Sequence, residues 1–407
     1  MAVPTQMFSQ SRRLSAVQTP VIPVVGRWTA DTPGTISLGQ GVVSYGPPAE
    51  VVAAAHRFGE TLADHRYGPV EGLPALVSLL EQKLARENAI AVRPGSRVLV
   101  TAGGNLAFMN AVLAIMDVDD EIILPSPYYF NHEMAIAIAG GRPVPVPTLA
   151  DYQLDVEAIA AAITPRTRAI VTVSPNNPTG AVYPEAALRS VNELCRERGL
   201  FHIHDEAYEY FVYGQASHFS PGSIAGAAGY TISLFSLSKA YGMASWRVGY
   251  MVLPESLWEA INKVQDTLLI CAPSVSQHAA IAAIGLGRAF ARPYLADLDT
   301  TRRLVSEALS RPDVPCDTAA SEGAFYYFLR VHSTLDPMVL CERLIREHRV
   351  AVIPGSAFGH TEGCSVRVSY GALSHDLVSE GLTRLVRGLQ TLASVCIVCA
   401  GLAARLM

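Results

Sequence analysis

TISLFSLSKAYGMASWR, residues 231–247, is the stretch of this chain that says most about its fold. Its first five residues are mostly β-branched, aliphatic and aromatic, which is typical of a buried strand. Two serines then precede Lys239, and Arg247 follows eight residues later among small and apolar neighbours. Because a desolvated lysine amine has a lowered pKa, it suits Schiff-base chemistry. The segment therefore predicts a strand that presents a reactive amine at its end.

Lysine is scarce in this chain, which makes each one informative. Only three of the 31 basic residues are lysines, and the others are arginines. Lys83 and Lys263 fall on helical patterns, and we interpret both as solvated surface charges. Lys239 instead follows a strand, at a position where an arginine could not form an imine. The composition therefore singles out Lys239 as a lysine kept for its chemistry.

The composition of the 407 residues is that of a large globular protein. Half of the residues are hydrophobic and 16% are charged, which excludes a disordered chain. The net charge of −5 gives no basic surface for a nucleic acid or an anionic membrane. Seven cysteines, too few and an odd number for a secreted disulfide framework, predict a cytoplasmic protein.

The two ends of the chain predict no targeting segment, membrane span or metal site. The apolar run at residues 21–25 is short, broken by proline and too late for a signal peptide. The apolar tail at residues 392–404 is shorter than a membrane span and predicts a terminal helix. Cys396 and Cys399 form a CxxC pair, but no second CxxC or histidine pair supports a zinc site, so no metal is predicted.

The middle of the chain alternates short β-branched runs with longer helical patterns, which indicates an α/β fold with a mostly parallel sheet. The predicted strands are residues 98–101, 122–124, 169–173, 200–204, 231–235 and 249–253. The predicted helices include residues 71–87, 105–116, 184–198 and 254–266. Strands at residues 325–331 and 365–369, with a helix at 338–348 between them, predict a second, mixed sheet. We therefore expect a large domain at residues 46–290 and a smaller α+β domain combining residues 1–45 with 291–407.

Ligands of open α/β sheets lie beyond the carboxyl ends of the strands, so the residues that follow each strand are candidate site residues. Ala102-Gly103-Gly104-Asn105 opens a helix, where free N–H groups favour an anion. The run at residues 174–180 contains two prolines and a glycine, which make a rigid loop around Asn177. Asp205 ends another strand, and Tyr208 follows three residues later. Each feature alone also fits an ordinary turn or helix cap.

Together these motifs are more specific than any of them alone. They are Asn177-Pro178-Thr179-Gly180, Asp205 with Tyr208, Ser236-Leu237-Ser238-Lys239 with Arg247, Arg367 in Val366-Arg367-Val368-Ser369, and Tyr67 followed by Gly72-Leu73-Pro74. In this order and spacing the chain resembles the class I/II aminotransferases, which are fold-type-I enzymes that depend on pyridoxal 5′-phosphate (PLP). The resemblance covers roughly residues 38–370 and implies a large, seven-stranded-type, mostly parallel sheet domain beside a smaller α+β domain.

The resemblance assigns three residues to catalysis. It implies that Lys239 binds PLP as a Schiff base and then moves the proton between the substrate Cα and the cofactor. Asp205 is expected to pair with the pyridine nitrogen, which keeps the ring able to absorb carbanion charge. Tyr208, together with Asn177, is expected to hydrogen-bond the phenolic oxygen of the ring.

The remaining cofactor contacts are also implied by the resemblance. The phosphate is expected to bind the backbone near Gly103, Gly104 and Asn105, together with Ser236, Ser238 and Arg247. Tyr129 falls where the family places an aromatic ring stacked on the cofactor. Tyr67 in this family reaches the phosphate of the partner subunit, which implies a homodimer with shared sites.

The substrate carboxylate is expected at Arg367, by two parallel hydrogen bonds, with help from Asn177 and the backbone near Gly41. Family members that act on acidic substrates need a second cation for the distal carboxylate. One solution is an arginine after the lysine-bearing strand, but this chain has none between Lys263 and Arg288. Another is a lysine beside the phosphate-binding glycines, where this chain has Asn105. These residues predict a substrate with an uncharged side chain.

Several further stretches resemble the plant-type methionine aminotransferases that use aromatic 2-oxo acids as acceptors. They are Gln40-Gly41-Val42-Val43, Pro127-Tyr128-Tyr129-Phe130-Asn131, Tyr208-Glu209-Tyr210-Phe211, Tyr241-Gly242-Met243 with Trp246-Arg247, Gln265-Asp266 and Ile270-Cys271-Ala272. The chain departs from that group at Asp205-Glu206-Ala207 and in several loops. We expect transamination of a hydrophobic, aromatic or sulfur-containing L-amino acid with a 2-oxo acid. The alternatives are β/γ-elimination or γ-replacement on a methionine- or S-adenosylmethionine-like substrate, and a domain that has lost catalysis.

Overall fold

The computed structural model of the chain describes residues 11–403, with side chains described as far as residue 392. Its strands are β1 Ile36–Ser37, β2 Ser96–Thr101, β3 Glu121–Ser126, β4 Arg142–Pro147, β5 Thr167–Val173, β6 Phe201–Asp205, β7 Thr231–Ser236, β8 Gly249–Pro254, β9 Cys316–Thr318, β10 Tyr326–Val331, β11 Val350–Ala351, β12 Ile353–Pro354 and β13 Cys364–Ser369. Its helices are α1 Arg12–Ser15, α2 Val21–Ala30, α3 Ala49–His56, α4 Pro74–Glu87, α5 Gly104–Ile115, α6 Phe130–Ala139, α7 Val156–Ala161, α8 Glu185–Arg198, α9 Leu237–Ala240, α10 Trp258–Leu268, α11 Ser274–Leu286, α12 Arg292–Leu309, α13 Pro337–His348 and α14 His375–Ala403. The side chains of Cys396 and Cys399 lie outside the described residues.

Seven strands form the large sheet, in the order β2-β8-β7-β6-β5-β3-β4. Only β8 runs antiparallel to its neighbours β2 and β7, and the other adjacent strands are parallel. The large, mostly parallel sheet predicted from the sequence is confirmed. Because β3, β5, β6 and β7 run in the same direction, the residues that follow them meet at one edge of the sheet.

Strand β4 is the one member of this sheet that the sequence analysis missed. Its sequence, Arg142–Pro147, alternates valine with proline. Proline cannot donate to a strand ladder, so a run of this kind argues against a central strand. In the structure β4 pairs only with β3 at the end of the sheet, where the missing N–H groups cost no ladder bond.

Local sequence signals set the ends of several helices. Asp336 accepts hydrogen bonds from two N–H groups at the start of α13, and Pro337 occupies its first position. Helix α8 ends at Gly199, which adopts a left-handed conformation with φ of 65°. The helix predicted at residues 71–87 begins only at Pro74, because Gly72 has φ of 114° and belongs to the preceding turn.

The C-terminal part of the chain forms two smaller sheets. Strands β12, β13, β10 and β9 make an antiparallel sheet in that order, and β1 pairs in parallel with β11. The N-terminal strand therefore joins the C-terminal segment. The domain limits at residues 46 and 290 stay a prediction, since strand pairing does not define where a domain ends. Among the described residues, no helix is long and apolar enough to cross a membrane.

Lys83 is buried, so its interpretation as a solvated surface charge is wrong. It lies on the same face of α4 as the buried residues Leu76, Leu80 and Leu84, and only 1% of its side chain is exposed. Its Nζ donates to the two carboxylate oxygens of Glu209 at 2.5 and 2.6 Å and to Asn88 Oδ1 at 2.8 Å. The helical spacing puts Lys83 on the apolar face of α4. Its partner Glu209 is remote in sequence, so the ion pair that allows the lysine to be buried was not predicted.

We expect Lys83→Met to lower the free energy of unfolding by about 3–5 kcal/mol, because the carboxylate of Glu209 would lose its buried cation. The measurement is the urea midpoint of unfolding. Lys263→Met is the matched control: Lys263 pairs with Glu259 on the surface, with 72% of its side chain exposed, and its loss should leave the midpoint nearly unchanged. Equal midpoints for Lys83→Met and the unchanged chain would contradict a buried ion pair.

Candidate active site

A cavity of about 380 Å³ lies at the edge of the large sheet where the parallel strands end. It brings together most of the predicted site residues, namely Gly41, Gly104, Asn105, Tyr129, Asn177, Asp205, Tyr208, Ser236, Ser238, Lys239, Arg247 and Arg367. It also brings in residues that the sequence analysis missed, among them Ile22, Gln40, Phe130, Ala207 and Tyr326. The predicted residues come from segments spread over more than 300 positions, and the fold brings them to one cavity.

Lys239 lies on the short helix α9, directly after β7. Its Nζ donates to the carbonyl oxygen of Gly41 at 2.5 Å. Burial, and then the nearby guanidinium groups of Arg367 and Arg247, lower the pKa of the Lys239 amine to about 8. Slightly above pH 7, a substantial fraction of the molecules therefore carries Lys239 as the neutral amine, which is the form that attacks a carbonyl.

Asp205 lies at the carboxyl end of β6 and is held from two sides. Its Oδ1 accepts from the backbone N–H of Ala207 at 3.0 Å, and its Oδ2 lies 3.1 Å from His132 Nε2. His132, which is 2% exposed on α6, was not among the predicted site residues. Its position three residues after Tyr129 places it one helical turn along, which is the only local signal that points to it.

The far end of the cavity is rich in hydrogen-bond donors. Gly104 and Asn105 open α5, where backbone N–H groups lack partners within the helix. Gly103 precedes them with φ of 86°, and a Cβ there would lie 2.9 Å from the guanidinium carbon of Arg247. Arg247 Nη1 lies 3.5 Å from Ser238 Oγ. A side chain on Gly103 would displace the arginine, so the close approach requires glycine.

Arg367 lies on β13 with 2% of its surface exposed. Its Nη1 donates to Asn177 Oδ1 at 2.8 Å and its Nη2 to the carbonyl of Gly39 at 2.8 Å. Its Nε is buried and has no hydrogen-bond partner among the described residues. A buried guanidinium with an unused donor and neutral neighbours is suited to bind a carboxylate.

These features fit PLP, the cofactor that the resemblance implies. A phosphate would meet the helix start and Arg247, and a basic ring nitrogen would meet the carboxylate of Asp205. The amine-bearing Lys239 lines the same cavity as both of these groups. The donor set, the acid and the amine therefore match the three chemical groups of the cofactor.

Two predicted residues do not line this cavity. Gly103 lies beside it and determines the position of Arg247, as described above. Tyr67 is 82% exposed and lies with Phe58, His65 and Ser274 at a separate surface depression. The chain by itself therefore does not bring Tyr67 to its own candidate site, and its predicted role at a partner's site stays a prediction.

Comparisons with known proteins agree with this geometry. Residues 33–385 match the family model for aminotransferase class I and II. A probable aspartate/prephenate aminotransferase of Aquifex aeolicus is 36% identical over 87% of this chain and 91% of its own length. The aromatic aminotransferase ISS1 of Arabidopsis thaliana is 32% identical over 94% of this chain and 96% of its own. A single mutant of the Thermus thermophilus aspartate aminotransferase superposes with a TM-score of 0.85 at 32% identity, covering 94% of this chain and 100% of that one.

Proposed function

Because the chain belongs to the class I and II aminotransferases and is a PLP-dependent aminotransferase, we propose that its amino donor is a hydrophobic, aromatic or sulfur-containing L-amino acid. The acceptor is a 2-oxo acid. The observation that carries this proposal is the side-chain chemistry of the cavity. Within the described part of the chain, the cations that line it are Lys239, Arg247 and Arg367, and each of them already has a proposed partner in the cofactor or the substrate carboxylate.

The residue beside the phosphate-binding glycines supports an uncharged substrate side chain. Asn105 occupies that position and its Oδ1 lies 3.4 Å from the hydroxyl of Tyr129. An amide cannot neutralise a distal carboxylate, so an acidic side chain would be desolvated there without a counterion. The same pocket presents apolar surface from Ile22 on α2 and from Phe130. An apolar substrate side chain that covers this surface lowers the free energy of the complex.

The names of the relatives do not distinguish an acidic amino donor from an aromatic one. The Aquifex aeolicus protein is named for aspartate and prephenate, and the Arabidopsis thaliana protein for aromatic amino acids. The choice therefore rests on the residues of this chain. Among the residues that the structure describes, no contact favours elimination or replacement over transamination.

The proposed mechanism assigns one task to each group. PLP, when bound, withdraws electron density from the Cα–H bond of the substrate. Arg367 binds the substrate carboxylate and orients that bond, and Lys239 moves the proton at Cα, for which its lowered pKa suits it. Asp205, held by His132, would keep the ring nitrogen protonated. Tyr208 and Asn177 would hydrogen-bond the phenolic oxygen.

We also propose a homodimer with shared sites in the cytoplasm. The exposed ring of Tyr67, 82% accessible, supports the dimer, because tyrosine, with its apolar ring and polar hydroxyl, is enriched at protein interfaces. The low number of cysteines supports a reducing compartment.

The substrate proposal is tested by single-turnover reaction of the PLP-loaded enzyme with separate amino acids, followed by the visible absorbance of the cofactor. We expect phenylalanine or methionine to react faster than aspartate and to yield one equivalent of the 2-oxo acid. Asn105→Lys should shift the rate ratio toward aspartate by about 10- to 100-fold, the value of a charge-assisted hydrogen bond.

Asn105→Met is the matched control, since methionine resembles lysine in length but carries no charge. It should leave the aspartate rate low. Reaction of the unchanged enzyme with aspartate alone, or release of ammonia with return of the original spectrum, would contradict the proposal.

A further inference from the structure

Tyr326 is a buried residue that contacts three of the proposed site residues. It is 0% exposed, and its hydroxyl lies 2.6 Å from the hydroxyl of Tyr208. The guanidinium carbon of Arg367 lies 4.6 Å from the centre of its ring. A Cβ on Gly41 would lie 2.9 Å from the Tyr326 hydroxyl, so glycine leaves the space that this hydroxyl occupies.

The small sheet fixes Tyr326 relative to Arg367. Tyr326 begins β10 and pairs with Ser369 of β13, two residues beyond Arg367. Residues two apart on a strand share a face, so Tyr326 and Arg367 are diagonal neighbours on the same face. The backbone oxygen of Tyr326 also accepts from Ser321 Oγ at 2.7 Å. The backbone of Tyr326 is therefore fixed by contacts that do not involve Tyr208.

We propose that Tyr326 is a positioning residue whose hydroxyl donates to Tyr208 and strengthens the hydrogen bond from Tyr208 to the phenolic oxygen of the cofactor. The inference rests on the proposed role of Tyr208. In a chain of hydrogen bonds each donor polarises the next, so a donor behind Tyr208 makes its O–H a stronger donor. Arg367 lies against the ring of Tyr326 and draws electron density from it, which strengthens the same donor.

The proton needed for this role is available. Burial raises the pKa of Tyr326 to about 12, so its hydroxyl stays protonated at neutral pH. Burial also raises the pKa of Tyr208 well above its ordinary value. Both phenols are therefore neutral and can donate in series.

The experiment is a pH titration of the visible absorbance of PLP bound to the full-length enzyme. Loss of the Tyr326 hydroxyl would weaken the hydrogen bond from Tyr208 that stabilises negative charge on the phenolic oxygen. The protonated form of the bound cofactor would therefore persist to higher pH. We expect Tyr326→Phe to raise the titration midpoint by about 0.1 to 0.7 pH unit, which is the roughly 10–30% share of a hydrogen bond to a charged group that polarisation contributes. Tyr327→Phe is the matched control, because Tyr327 is the adjacent buried tyrosine on β10 but lies outside the cavity. It should leave the midpoint unchanged.

Binding of 3-phenylpropanoate, which has a carboxylate but no amino group, gives a second readout. Tyr326→Phe keeps the ring against Arg367, so its dissociation constant should stay within about twofold, whereas Tyr326→Leu should weaken binding several-fold. A Tyr326→Phe midpoint equal to that of the unchanged enzyme would overturn the inference, as would loss of cofactor binding in this variant alone. If the unchanged enzyme has no titrating cofactor band, the proposed function fails instead.

Discussion

Replacing Lys239 by alanine is expected to lower the rate of transamination by on the order of 10⁴-fold, the upper end of what a positioned acid–base group contributes. Alanine offers neither an amine to bind the cofactor covalently nor a base to move the proton at Cα. In the structure Lys239 lines the same cavity as Asp205 and Arg247, with its amine hydrogen-bonded to the carbonyl oxygen of Gly41. The measurement is the single-turnover rate of the PLP-loaded variant with phenylalanine.

Lys263→Ala provides the comparison for this experiment. Lys263 lies on α10, with 72% of its side chain exposed and an ion pair to Glu259. Its replacement should leave both the rate and the cofactor spectrum unchanged. Wild-type rates in Lys239→Ala would show that another group moves the proton.

The second large effect is expected for Arg367→Lys, with kcat/KM for the amino donor lower by about 10²- to 10⁴-fold. Two hydrogen bonds to a charged group account for that range. Lysine keeps the positive charge but loses the planar pair of donors that binds a carboxylate. It would also leave Asn177 Oδ1 and the carbonyl of Gly39 without the hydrogen bonds that Arg367 supplies.

Arg330→Lys is the matched control for this prediction. Arg330 lies on the neighbouring strand β10 and donates to the backbone oxygen of Ala150, away from the cavity. We expect Arg330→Lys to leave KM unchanged, whereas Arg367→Lys should raise KM while the spectrum of the bound cofactor persists. An unchanged kcat/KM in Arg367→Lys would show that the substrate carboxylate does not bind at Arg367.

The part of the site that could be predicted from the sequence follows strands of the large sheet. Parallel strands are short, apolar and separated by helices, so the residues after each can be located, and they meet at one edge by topology. Asn177, Asp205 and Lys239 were found in this way. Arg367 has no such signal, because it lies within an antiparallel strand, and only its motif identified it.

The residues that were missed owe their role to contacts between distant segments. Tyr326 reaches the cavity from β10, whose sequence predicts only a strand, and Ile22 reaches it from α2, which was not predicted as a helix. Lys83 was misjudged because its partner Glu209 is 126 positions away. Strand β4 was missed because its prolines are untypical of a strand, although an edge strand tolerates them. Pattern and spacing report local structure and topology, whereas these contacts depend on side-chain packing.

The most direct test of the central claim is borohydride reduction of the PLP-loaded enzyme followed by peptide mass spectrometry. Borohydride fixes a Schiff base as a stable secondary amine, and the chain has only three lysines, in well-separated peptides. We predict that the pyridoxyl phosphate mass appears on the peptide that contains Lys239 and disappears in Lys239→Ala. A label on the peptide of Lys83 or Lys263, or a label retained in Lys239→Ala, would contradict the account.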